Sequence, residues 1–177
     1  MEVTEKLVPG RGDAPGMFRF GMQLPMPKDF ERIVYYGRGP GENYSDRKAS
    51  AFMGVYDQSV SSQPYQYIRP QETGTKTDIR WWRVLDAAGR GLEVTADAPF
   101  SASALHYTVE SLDEGPEKVN MHMTEVAPSD LTNLLLDKVQ MGLGCENSWG
   151  AVPRSEYLLP YGEYGFHFLL TPVSAKF

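Results

Sequence analysis

A chain of 177 residues is the length of one domain, and a formal charge of -6, with its basic residues scattered, excludes the electrostatic footprint of a nucleic-acid binder. The single cysteine, Cys145, excludes an intrachain disulfide and a cysteine-based metal cluster, and no apolar run is long enough for a membrane helix. The start, M-E-V-T-E-K-L, lacks the basic and apolar regions of a signal peptide, so the chain reads as soluble, with its compartment open.

Strand signals then dominate in chain order. Residues 2–8 alternate Val3 and Leu7 with charged positions, a Gly/Pro turn covers 9–16, and 18–24 (F-R-F-G-M-Q-L) alternates with period two. These two segments are expected to be neighbouring strands. The run 25–30 (P-M-P-K-D-F) is expected to break the pairing, and 32–37 (R-I-V-Y-Y-G) to form a short strand leading into a loop. Segment 48–54 fits either a helical turn or a bent connection, and 55–60 an extended piece. Residues 63–74 (Q-P-Y-Q-Y-I-R-P-Q-E-T-G) form a long ordered connection pinned by its aromatic side chains. The clearest hairpin joins 76–85 to 91–96 through D-A-A-G-R, and adjacent Trp81 and Trp82 must face opposite ways, with at least one in the core. Segment 100–107 continues the meander, 108–114 suits a helical turn closed by Gly115 and Pro116, and 130–141 and 164–171 read as strands. With no repeat or linker, this pattern predicts one all-β domain over 1–177, an antiparallel sandwich.

Two loops stand out. In 37–47 (G-R-G-P-G-E-N-Y-S-D-R), three glycines alternate with Arg38 and Pro40, which predicts a sharp turn, and Glu42, Asn43, Tyr44, Asp46 and Arg47 crowd after it. Such loops are either plain surface turns or binding elements on a rigid scaffold. The second loop, 141–153 (M-G-L-G-C-E-N-S-W-G-A-V-P), sets Trp149 among glycines, as a flat platform for the C–H face of a sugar or as a plug beneath the loop. Nucleophile-elbow, P-loop and zinc-protease patterns are missing. His106, His122 and His167 are isolated in sequence and read as satisfied core or rim histidines. Asn43-Tyr44-Ser45 matches a glycosylation acceptor, and Glu42, Asp46 and Glu146 are carboxylates whose separation nothing in the sequence sets.

Together, F-R-F-G-M-Q-L, Y-Y-G-R-G-P-G-E-N-Y-S-D-R, Y-I-R-P-Q-E-T-G, D-I-R-W, S-A-L-H-Y-T, Q-M-G-L-G-C-E-N-S-W-G and E-Y-L-L-P occur in an order that resembles the C-terminal, small-chain region of the lac-type β-galactosidases of glycoside hydrolase family 2. The resemblance implies a β-supersandwich similar to the galactose mutarotase fold, here an N-terminally truncated fragment whose open edges could pair with a second copy. It also implies that the catalytic glutamates and a magnesium site lie on a TIM barrel of the same polypeptide, so that this chain holds no catalytic residue and no metal. Trp149, with Asn147 and Glu146 beside it, is then expected to bind the galactoside. Gly39, Pro40, Glu42, Asn43, Tyr44, Asp46 and Arg47 are expected to form a mobile loop at the mouth of the site. Relatives carry an acidic run where this chain has Cys145-Glu146-Asn147, which alters the polar contacts expected beside Trp149. Two other functions fit the sandwich: an autonomous carbohydrate-binding module, and a mutarotase-like enzyme, which would need a histidine and a carboxylate converging in one cleft.

Overall fold

The computed structural model describes residues 1–10, 14–113, 115, 121–144 and 150–174, which form an antiparallel all-β structure. The longest strand, β6 (Gly91–Leu105), organises it. Along one edge β6 pairs with β5 (Lys76–Leu85). Along the other it forks: Gly91 to Ala96 pair with β8 (Tyr164–Val173), and Ser101 to Leu105 pair with β7 (Leu131–Gln140). One branch continues from β8 to β1 (Glu2–Leu7), the other from β7 to β2 (Arg19–Pro27), while β3 (Arg32–Gly39) and β4 (Phe52–Ser59) extend the sheet beyond β5.

The fork lets the two branches face each other as a β-sandwich. Phe20, Met22, Leu24 and Met26, on alternate positions of β2, pack on the same cluster as Ile33, Trp82, Phe100, Leu134, Leu136, Phe166 and Phe168. Alternation explains the list, since Val94, Ala96, Phe100, Ala102 and Ala104 all sit on one face of β6. In β5 the phase changes, because a bulge between Lys76 and Trp81, with Asp78 at φ 56°, lets Ile79 and Trp82 both enter the core. Trp82 is fully buried and stacks on Tyr35 at 5.0 Å, whereas Trp81 takes the other face beneath the Arg83 guanidinium.

Several local expectations change. The segments 2–8 and 18–24 do not pair: β1 lies against β8 and β2 against β7, because period-two alternation names a buried face without naming the neighbour. Pro25 lies within β2, opposite Asn133, and pairing lasts to Pro27, opposite Leu131, before the chain turns at 28–29. Among the described residues β2 has β7 as its single neighbour, which leaves its other side unpaired, where a missing N–H costs no ladder bond. Of segment 100–107, residues 100–105 are the second half of β6 and not a new strand, and Pro99 falls where pairing passes from β8 to β7. The open choice at 48–54 resolves into a turn, closed by Ala51 N–H to Lys48 O at 3.1 Å, and the start of β4. The hairpin of β5 and β6 and the strands at 130–141 and 164–171 form where expected.

Candidate functional site: two loops joined at one end of the sheet

The first loop begins later than its glycines suggest. β3 runs through Gly37 and Gly39, and the chain turns at Pro40 after a cis Gly39–Pro40 peptide. These glycines supply space and not a hinge: a Cβ at Gly37 would stand 2.4 Å from Ile79 Cδ1, and one at Gly39 2.3 Å from the Tyr35 hydroxyl.

The polar residues that follow turn inward. Asn43 is 1% exposed and uses its whole amide: Nδ2 donates to Arg38 O and Gly41 O, while Oδ1 accepts from Thr77 N–H at 3.0 Å and the Thr77 hydroxyl at 2.5 Å. Its own N–H reaches Thr75 O at 2.8 Å, so the loop is stitched to the start of β5. The glycosylation acceptor is therefore inside the protein. Glu42 accepts from Tyr67 Oη, from Thr73 Oγ1 at 2.9 Å, from Gly74 N–H at 2.8 Å and from Arg47 at 2.6 Å. It clamps the 63–74 connection to the loop, and partial burial, with the Glu42 carboxylate alongside, pushes the phenol of half-buried Tyr67 up to about 12. Tyr44 is 1% exposed, and burial raises its phenol well above the usual value. Arg47 lies over the Tyr44 ring at 5.1 Å, and backbone bonds between Tyr44 and Arg47 in both directions close the turn. Asn43 and Tyr44, expected in a mobile loop at the mouth of the site, are thus both buried, and the Asn43 amide is used in full within the protein.

Asp46 behaves differently. Its carboxylate leaves the first loop and accepts the N–H groups of Leu143 at 3.2 Å and Gly144 at 2.5 Å, at the entry of the second loop. Two glycines allow this, since a Cβ on Gly142 would lie 2.5 Å, and on Gly144 2.9 Å, from Asp46 Oδ2. Gly142 N–H is held in turn by Tyr157 O. The structure thus brings the two expected loops together. Glu146, Asn147 and Trp149 lie outside the described residues, between this fastened stem and Gly150.

Two buried ionisable residues lie within strands and outside both loops, Asp137 and Lys76. Asp137 of β7 is 2% exposed and receives a forked pair from Arg19, at 3.1 and 2.6 Å, and Arg19 also reaches Glu72 at 3.0 Å. Burial outweighs the guanidinium and pushes the Asp137 carboxyl up to about 6. Lys76, 1% exposed, donates to Gly74 O, and burial, opposed by the nearby Glu42, pushes its amine down to about 8. The available signal was an acid directly after Leu134, Leu135 and Leu136, in phase with the outward positions of a buried strand.

His106 is 8% exposed, with one ring nitrogen on Leu131 O at 2.9 Å and the other on Glu31, which also accepts from Ser61. A histidine and a carboxylate do converge, but they bond to each other, and neither lines a described cleft. Among the described residues no group of three or more His, Cys, Asp or Glu could hold a metal ion, and the committed carboxylates of Glu42 and Asp46 do not fit magnesium. Beside the second-loop stem a cleft of about 500 Å³ opens between Phe18, Tyr107 and Met141.

The β-galactosidase small chain family matches residues 1–170. The chain is 33% identical to a β-galactosidase of Priestia megaterium over 159 residues, 90% of this chain and 15% of that protein. It is 36% identical to a β-galactosidase of Lactobacillus delbrueckii subsp. bulgaricus over 155 residues, covering 85% and 14%, and 31% identical to one of Streptococcus thermophilus over 167 residues, covering 93% and 16%. The chain therefore spans about 15% of the length of the curated relatives it matches. With that match over nearly its whole length, on an antiparallel sandwich whose two motif-bearing loops meet, the chain belongs to the β-galactosidase small chain family.

Proposed function

We propose that this chain is the noncatalytic C-terminal region of a β-galactosidase, whose joined loops form the rim of a galactoside site. The paired glutamates and the magnesium of that site belong to a catalytic barrel elsewhere in the polypeptide. The observation that carries this reading is the Asp46 carboxylate on Leu143 and Gly144 N–H, which ties the stem of the tryptophan-bearing loop to a loop braced against the sheet. A platform must be stiff to bind a ring without losing the energy to ordering it. In this reading Trp149 supplies the platform, Asn147 and Glu146 take hydroxyls, and Glu42, Asn43, Tyr44 and Arg47 act through the brace. Any movement at the mouth of the site belongs to its exposed outer residues, Pro40 and Gly41.

In the polypeptide that carries the catalytic region, Trp149→Ala is expected to weaken disaccharide binding by roughly 1 to 3 kcal/mol, the loss of one aromatic stacking contact. Steady-state kinetics with lactose measures it. Unchanged kcat and KM would remove Trp149 from the site.

A further inference from the structure

The cleft of about 500 Å³ opens beside the second-loop stem, with Leu143 in its lining, and its chemistry points to a ligand. It lies on the outer face of β6 and β7, walled by the 69–72 segment and by the chain after Leu105. Leu105, Leu112 and Leu135 form an apolar floor, with the Tyr107 ring beside it. Polar groups gather on the other wall: Glu72 with its Arg19 partner, Gln140 and Asn133.

Asn133 is the informative residue. It is 1% exposed, it lines the cleft, and its Oδ1 has no hydrogen-bond partner among the described residues. A buried amide oxygen left this way costs about 1 to 3 kcal/mol, and a leucine of similar volume would avoid that cost. An O–H donor entering the cleft would satisfy it. The charges along the walls cancel, Arg19 and Arg69 against Glu72 and Asp113, which disfavours an anion or a cation as the occupant. An apolar floor opposite planar amide, carboxylate and guanidinium groups suits a ring with one C–H face and a rim of hydroxyls, and the volume falls within the range of roughly 300 to 1,000 Å³ usual for small-molecule sites.

We propose that this cleft is a binding site for a neutral mono- or disaccharide, with Asn133 accepting a sugar hydroxyl and Tyr107 covering the ring, separate from the platform assigned to Trp149. It does not depend on the rim reading.

The test is saturation-transfer NMR on the 177-residue chain with D-galactose and lactose at millimolar concentration. Asn133→Leu removes the acceptor while keeping volume, and Val109→Trp, at a rim position 41% exposed, closes the mouth without touching the core. Transfer is expected in the parent chain and in Trp149→Ala, with affinity at least tenfold weaker in both cleft variants. Thermal unfolding of Asn133→Leu is expected at or above the parent temperature, an outcome a merely structural asparagine would not give. Absence of transfer in the parent chain overturns the proposal, as does transfer that survives both cleft variants or vanishes in Trp149→Ala. The rim reading is judged separately, by the kinetics of Trp149→Ala in the polypeptide with its catalytic region.

Discussion

The first loop fastens itself to the sheet with its own side chains, whereas the second is fastened at its stem by a side chain sent across from the first. Asn43 and Glu42 between them hold Arg38, Gly41, Tyr67, Thr73, Gly74 and Thr77. The described stem of the second loop relies on Asp46, on Tyr157 O and, one step back, on Phe18 O through Met141 N–H. The difference separates two jobs that composition makes look alike. Polar residues that satisfy buried backbone build a scaffold, and a carboxylate sent across to a neighbouring stem joins a second loop to it.

Four measurements would break or sharpen this contrast, beginning with the largest effect. Arg19→Met leaves Asp137 buried in β7 without its cation and is expected to cost about 3 to 5 kcal/mol at pH 7 in urea denaturation. The cost should shrink toward pH 4: a carboxyl whose folded pKa lies above its unfolded value favours folding when protonated and loses that as pH rises. A loss that stays constant with pH would show that packing, not charge, is what Arg19 supplies.

Asn43→Ala strands Thr77 N–H and two carbonyls, and about 3 kcal/mol is expected from the same denaturation. A loss below 1 kcal/mol would mean that the first loop is not the brace its contacts describe.

Lys76 tests the brace by pH. Its folded pKa of about 8 lies below the ordinary 10.5, so the unfolded chain binds more protons between those values and stability rises with pH there. The rise amounts to roughly 3 kcal/mol before the raised phenols of Tyr44 and Tyr67, which favour folding only while protonated, begin to oppose it above pH 10. Lys76→Met should abolish the rise, and a parent chain whose stability is flat from pH 8 to 10 would contradict the burial argument.

The smallest effect on stability is the most diagnostic of the link between loops. Asp46→Ala is expected to cost about 1 kcal/mol, while amide exchange accelerates at Leu143 and Gly144 and stays slow at Thr77. Equal acceleration at all three would mean that the loops open together and that the contrast is false.

Alternation alone located most strands, the β5–β6 hairpin and the opposite faces of Trp81 and Trp82, because a period of two is a local property of the backbone. The motifs around Asn43 and Ser148 were legible as unusual, and their order carried the family. Their division of labour was not: G-R-G-P-G-E-N-Y reads as a flexible polar loop, yet two of its glycines are spacers in a strand and its asparagine is interior.

By itself, then, the sequence determined the all-β class, the faces of the strands and the family, all of which rest on spacing or on residues side by side in the chain. Only the tertiary structure decided that β1 pairs with β8 and β2 with β7, that Asp46 spans from one loop to the other, and that Arg19 and Asp137 form a buried pair. Those contacts join residues about a hundred or more positions apart, such as Arg19 and Asp137 at a separation of 118. Hydrogen-bonding capacity is written in each side chain, but the partner that fills it is set by where the sheet forks.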